Sequence, residues 1–117
     1  MNAHEKKKVV DTYIAAINEA NVEQIREIFA ETATAEDPVG TELKEGIEAI
    51  AAFFGGLFEK GAQAELIGSV RCAGSAAAFP FAIAMGPVKV EAIDVFEFDD
   101  EGKIGSMKAY WGPENLV

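Results

Sequence analysis

Two aspartates and a tyrosine stand where side chains should be apolar, and together they could move a proton. Asp94 lies within VKVEAIDVFEFD, residues 88–99. In a strand, successive side chains point to opposite faces. Val90, Ala92, Asp94, Phe96 and Phe98 then share one face. Lys89, Glu91, Ile93, Val95, Glu97 and Asp99 share the other, with every other charge of the segment. An ionised carboxylate on the apolar face is costly unless paired. The alternative is a protonated acid that donates a hydrogen bond. Asp37 repeats the anomaly, since TATAED places it with Ala33 and Ala35, and Pro38 biases it toward extended backbone. Tyr13 falls on the apolar stripe of an N-terminal helix, where its ring can join the core while its hydroxyl seeks a partner. One ionised carboxylate can accept a proton. A tyrosine and a protonated acid can stabilise an oxyanion. That set suits proton abstraction next to a carbonyl, through an enolate.

Each residue also has a purely structural explanation. Asp37 could cap the amides of a Pro-Val-Gly turn. Tyr13 could be a core tyrosine bonded to backbone or water. Asp94 could be half of a buried ion pair. Its candidate partners are Arg26, Arg71 and several lysines, none of which interrupts an apolar face.

Composition narrows the chemistry further. The chain has 117 residues, 50% hydrophobic, which suits one domain over residues 1–117 with its own core. Ten Lys and Arg against 20 Asp and Glu give a net charge of −10, which argues against nucleic acid and anionic membranes as partners. Cys72 is the single cysteine and His4 the single histidine. Zinc sites built on several His or Cys ligands, and Ser–His or Cys–His pairs, are thereby excluded. Acid–base chemistry must use carboxylates, tyrosine or lysine. The start, MNAHEKKKVVDTY, has no long apolar run after its basic residues, so no secretory signal is expected and a cytoplasmic location is the default.

The elements that must position the three residues follow from periodicity. A helix is expected from about Ala3 to Glu19, with Val10, Tyr13, Ile14 and Ile17 on one stripe. Asn21 and Gln24 resemble a capping box for a second helix, whose stripe is Val22, Ile25, Ile28 and Phe29. A short strand, Thr32 to Asp37, ends at Pro38. Gly46 precedes a third helix bearing Ile47, Ile50, Phe53, Phe54 and Leu57. Strands then follow over about 63–73, 76–85, 88–99 and 103–112, with Gly102 suited to a positive φ in the last hairpin. Three helices followed by an antiparallel meander is an α+β pattern, with the helices covering one face of a curved sheet. The space between can form an apolar small-molecule cavity. Phe53, Phe54, Phe81, Met85, Met107 and Trp111 are the candidates for its wall, each equally readable as core packing.

The sequence resembles the Δ5-3-ketosteroid isomerases, or steroid Δ-isomerases, of the NTF2-like/SnoaL-like superfamily. The stretches that carry the likeness are TYIAAINEANVEQI, ATAEDPVGTELKEG, SVRCAGSAAAFPF, AIDVFEFDDEGKI and SMKAYWGPENL, which span essentially the whole chain. The resemblance implies a cone-shaped α+β fold, three N-terminal helices on a curved, mostly antiparallel sheet around an apolar pocket. It makes Asp37 the catalytic base and Tyr13 and Asp94 the oxyanion-hole donors. That family is the known case of an active-site carboxylic acid kept protonated. The implied reaction converts a 3-oxo-Δ5-steroid to its conjugated Δ4 isomer by C4-to-C6 proton transfer, with no cofactor or metal. It also implies a homodimer associating through the sheets, where Ser106, Lys108 and Tyr110 could meet a partner. Phe81, Met85 and Trp111 match apolar pocket positions of the family. Phe29 and Phe54 stand where some relatives have tyrosines bonded to the catalytic one, so that network is expected to be absent. The loop between Ala84 and Lys89 is shorter than in relatives. Two other readings remain: a different cone-fold lyase, cyclase or hydrolase, and a non-catalytic domain for a hydrophobic ligand.

Overall fold

The computed structural model describes residues 1–117. Helix α1 (Ala3–Glu19) begins where the Asn2 side chain accepts from the Glu5 amide and the Glu5 carboxylate takes the Asn2 amide. This reciprocal cap satisfies two otherwise free donors. Val10, Tyr13, Ala16 and Ile17 form its buried face. Helix α2 (Val22–Ile28) starts at Asn21, which accepts from the Gln24 amide. The expected box is only half formed. The Gln24 side chain turns to Glu27, and the Asn21 amide is already bonded to the Ala16 carbonyl. Phe29 is not on the α2 stripe. It is the C-cap and the first residue of β1 (Phe29–Glu36). The strand therefore starts before Thr32 and stops at Glu36, leaving Asp37 just past its end.

A two-residue strand, β2 (Lys44–Glu45), pairs antiparallel with β1 and has no clear sequence signal. Gly46, at φ +90°, then turns the chain into α3 (Ile47–Glu59). Residues 63–73 are not one strand but two, β3 (Gln63–Leu66) and β4 (Arg71–Ala73), both paired with β5 (Ala76–Met85). The break lies opposite Pro80, which has no N–H to offer a neighbouring strand. Its carbonyl still accepts from the Ile67 amide. Strand β6 (Val88–Phe98) follows through a tight Gly86-Pro87 turn, with Met85 paired to Val88. Strand β7 (Ile104–Tyr110) follows a hairpin in which Gly102 has φ +79° as expected.

The sheet order is β2-β1-β7-β6-β5-β3, with β4 also on β5. One pairing departs from an antiparallel meander, because β1 runs parallel to β7. The return of α1 and α2 delivers β1 to that edge in the same direction as β7, so the sheet is mixed. Along β6 the alternation is as read from the sequence: Val90, Ala92, Asp94, Phe96 and Phe98 are buried and Lys89, Glu91, Ile93 and Glu97 exposed. Asn18 ties the end of α1 to the sheet edge. Its side chain accepts from the Ala64 amide at 2.7 Å and donates to the Ala64 carbonyl at 2.9 Å. At the other end of the helix, the buried Lys6 donates to the Gly74 carbonyl. These two anchors fix how α1, and so Tyr13, lies on the sheet. No helix is long and apolar enough to cross a membrane.

The β3–β4 break leaves little room at Gly68, where an added Cβ would lie 2.8 Å from Pro80 Cγ. Gly68→Ala is expected to lower stability by about 1–3 kcal/mol, the usual scale of overpacking. Urea-unfolding midpoints check this, and an unchanged midpoint would show that the break is not tightly packed.

Candidate active site

Helix α1 lowers Tyr13 onto the inner face of the sheet, and β6 presents Asp94 from that face. The Tyr13 hydroxyl donates to Asp94 Oδ2 at 3.0 Å and lies 3.7 Å from Met107 Sδ. Four phenylalanine rings pack in T-shaped contact around the Tyr13 ring, with centroids 5.0 Å (Phe96), 5.7 Å (Phe54), 5.9 Å (Phe79) and 6.3 Å (Phe81) away. Phe29 stacks at a tilt on Phe54 behind them. No further hydroxyl stands behind Tyr13, because both positions are phenylalanine.

Asp94 is fully buried, and no cation reaches it. Arg26 pairs with Glu48, and Arg71 donates to the Ser69 carbonyl. The ion-pair explanation is therefore set aside. Asp94 Oδ1 has no hydrogen-bond partner at all. Burial pushes the Asp94 carboxyl well above the usual carboxylate range, and the nearby charge of Asp37 pushes it further, against the hydrogen bond from Tyr13. Such a group keeps its proton where an exposed aspartate has lost it. Burial likewise raises Tyr13 well above its ordinary value, so it remains a phenol.

Asp37 sits in a different setting. It is partly buried just beyond β1, and Trp111 Nε1 donates to its Oδ1 at 2.9 Å. Burial raises its carboxyl, but the Trp111 hydrogen bond and the positive charge of Lys44 both oppose the rise. The turn-capping role proposed for Asp37 falls instead to Glu36, whose carboxylate accepts from the Gly40 amide at 2.7 Å.

The two settings meet in one cavity of about 210 Å³, lined by 13 residues of which 12 are hydrophobic. Asp37 is its single carboxylate, and Tyr13 and Trp111 are the other wall residues with a polar tip. Phe53, Phe81, Met85 and Trp111 line the wall. Phe54 and Met107 do not, because both are buried behind Tyr13, one against its ring and one at its hydroxyl. Asp94 also lies behind Tyr13 rather than on the wall. Leu57, Ile83, Val88, Val90, Ala92, Ala109 and Leu116 complete the lining. Val90 and Ala92 were visible as strand neighbours of Asp94, and Ala109 as a strand neighbour of Trp111. Leu116 had no such signal. It reaches the cavity because the turn at Pro113–Asn115 returns the chain to bridge Val90.

The fold thus brings a buried carboxyl, the phenol bonded to it and a second carboxyl to one apolar cavity. The SnoaL-like domain family matches residues 10–107, which include all three groups. The chain belongs to this SnoaL-like family. Within it, the protein is 38% identical to a steroid Δ-isomerase of Nocardioides simplex over 97% of this chain and 94% of that one. It is also 34% identical to the solved structure of SalBIII, an epoxide hydrolase/cyclase-like enzyme of pyran ring formation in the polyether salinomycin. That alignment covers 98% of this chain and 96% of that one, with a TM-score of 0.92. SnoaL-like domains thus carry more than one chemistry on this cone-shaped α+β fold, and the residues of the cavity must decide between them.

Asp94 leaves a signature in stability. Its carboxyl titrates higher in the folded protein than in the unfolded chain. The folded state therefore binds more protons between those two values, and stability falls as pH rises through that window. Its contribution is complete below the unfolded value and lost as pH passes the folded one. Asp94→Asn removes the titration. The variant is expected to match the parent near pH ~4 and to exceed it by about 1–3 kcal/mol at pH ~8, the scale of a relieved buried polar group. Urea titrations across that range decide it, and a constant difference at every pH would rule out a preferentially protonated Asp94.

Proposed function

We propose that this protein is a steroid Δ-isomerase that converts 3-oxo-Δ5-steroids to conjugated 3-oxo-Δ4-steroids. The observation that carries the reading is the cation-free, buried Asp94–Tyr13 pair set at an apolar cavity whose other acid, Asp37, is held by Trp111. The likeness to the Nocardioides simplex steroid Δ-isomerase agrees with it.

In this reaction the steroid enters with its 3-oxo group toward Tyr13 and its apolar rings against Phe53, Phe81, Met85 and Trp111. Asp37, as carboxylate, removes a proton from C4. The C4–H electrons move into the ring, and the C3 oxygen takes the developing negative charge. Tyr13 transfers its hydrogen bond from Asp94 to that oxygen. The neutral Asp94, which lies behind Tyr13 with its Oδ1 unpartnered, reaches the same oxygen once Tyr13 has turned from it, and donates as well. Two donors aimed at a developing oxyanion in a water-poor site stabilise the dienolate more than the ketone, and this lowers the barrier. Asp37 returns the proton at C6, and the double bond is now conjugated with the carbonyl. The base ends as it began, and no cofactor takes part. The cavity is smaller than the roughly 300 Å³ at the lower end of typical ligand sites. The far end of a four-ring ligand therefore projects through the mouth beside the exposed Val88 and Leu116.

The outer sheet face supports an assembly of two copies. Ile93 and Tyr110 are directly paired there and are 49% and 47% exposed. Covering such a patch with its equal in a second chain would remove apolar surface from water. We place the dimer contact at this face, with Ser106 and Lys108 nearby on β7. Light scattering of the purified protein tests it, and a stable, active monomer would refute it. A cytoplasmic location follows from the same reading.

A second reading rests on the likeness to SalBIII. Asp37, raised by burial, could in its acid form protonate an epoxide oxygen during ring closure. The assay that separates the two follows formation of the conjugated enone from 5-androstene-3,17-dione by absorbance. Isomerisation is expected from the parent protein. Asp37→Asn should reduce it by about 10²–10⁴-fold, the usual size of general-base catalysis. Tyr13→Phe and Asp94→Ala should each cost about 10²–10³-fold through loss of an oxyanion donor, and Asp94→Asn less than Asp94→Ala because an amide still donates. Absence of enone formation by the folded parent, with turnover of an epoxy alcohol, would establish the second reading instead.

A further inference from the structure

Lys44 is the one cation whose charge acts on Asp37, and nothing in the proposed reaction uses it. It belongs to the two-residue β2, and its Cα partner across the β1–β2 ladder is Ala35. Residues directly opposite one another in an antiparallel pair project to the same face. Ala35 is fully buried, so Lys44 projects to the inward face that Ala33 and Ala35 occupy, just before the chain reaches Asp37. Its ammonium lies 4.5 Å from the centroid of the Phe53 ring. Phe53 lines the cavity together with Asp37. The amine is thus parked at the edge of the site by an aromatic face, where a cation is attracted to the ring's π cloud. No carboxylate lies within ion-pair distance to neutralise it. In a chain with net charge −10, a cation left unpaired beside a catalytic cavity calls for a reason.

We propose that Lys44 is a positioning residue for the base: its ammonium, held by Phe53 at the edge of the cavity that Asp37 lines, keeps Asp37 in the carboxylate form and so sets the acidic limit of activity. The charged and hydrogen-bonding groups that face Asp37 from the packed elements are few. Helix α1 contributes Tyr13, β6 contributes Asp94, the segment after β7 contributes Trp111, and β2 contributes Lys44. Tyr13 and Asp94 stay neutral, and Trp111 is an uncharged donor. Lys44 therefore brings the only full positive charge to the balance. Burial favours the acid form of Asp37, and Lys44 with Trp111 works against it. Phe53 then has two tasks, as apolar wall for the ligand and as seat for the ammonium.

The assignment rests on Asp37 being the base, and its test separates the two claims. Lys44→Met keeps the length and apolar stem and removes the charge, and Lys44→Arg keeps the charge. The sign follows from Coulomb's law. Removing the cation makes Asp37 harder to ionise, so the acid limb of the kcat/KM profile for 5-androstene-3,17-dione moves to higher pH. On that limb Lys44→Met should lose about two- to fivefold, the scale of one partly exposed charge pair. Well above the limb it should equal or slightly exceed the parent, because a carboxylate without a nearby cation is the stronger base. Lys44→Arg should restore the parent limb. In parallel, 13C NMR of aspartate-labelled protein follows the Asp37 carboxyl directly, with Asp37→Asn to assign its signal. Its midpoint should rise in Lys44→Met and return in Lys44→Arg. An unmoved Asp37 midpoint, or an equal loss of activity at every pH, overturns the proposal. If the steroid is not turned over by any form, the isomerase reading fails, while the NMR titration still decides whether Lys44 governs Asp37.

Discussion

A carboxylic acid and a phenol share one hydrogen bond in an apolar core where no cation reaches them. That pairing constrains nearly everything around it. Ionising Asp94 there would place a charge in an apolar surround with one donor and one unpartnered oxygen, so the neutral acid is the stable form. The neutral pair still needs a dry, well-packed setting, and the four phenylalanines around Tyr13 supply it. They also deny Tyr13 any second hydroxyl. Its position therefore depends on packing and on how α1 is seated, which Asn18 and Lys6 secure at the two ends of the helix.

The same residue type meets two different surroundings. Burial raises both Asp37 and Asp94. At Asp37 an indole N–H and an ammonium oppose the rise. At Asp94 the phenol opposes it, but the neighbouring Asp37 adds to it. The two carboxyls are near enough for the charge of one to discourage ionisation of the other. Once Asp37 holds a negative charge, Asp94 is less able to take one. A protonated and an ionised carboxyl can then coexist at and behind the wall of one apolar cavity.

Much of this was legible along the chain, because strict alternation or helical spacing makes a polar misfit conspicuous. Asp94 among Val90, Ala92, Phe96 and Phe98 is such a misfit, and so is Tyr13 on the stripe of Val10 and Ile17. Helix α1 and strands β5 and β6 also have strong periodicity or clear Gly and Pro punctuation, so their limits were close to the observed ones. Where the local pattern competes with tertiary pairing, it failed. The split of residues 63–73 was set by Pro80 on a neighbouring strand. Phe29 reads as helix from its own segment, but pairing of β1 with β7 draws it into a strand. Phe54 and Met107 look like wall residues by type, yet both are taken up by Tyr13. Leu116 reached the cavity through a chain reversal that no periodicity announces.

The sequence by itself determined which groups could do chemistry, the α+β class and the alternation that buries Asp94, since these depend on residue type and on periods of two and 3.6. Tertiary structure alone decided that Asp94 meets a phenol and no cation, that Trp111 holds Asp37, and that Lys44 sits over a ring of the same cavity. Tyr13 and Asp94 are separated by 81 positions, and Asp37 and Trp111 by 74. Contacts over such separations arise from strand register and helix docking, which are properties of the whole packed chain and of no local segment. The type of each side chain says what it can do, and its neighbours in space determine in which protonation state it will do it.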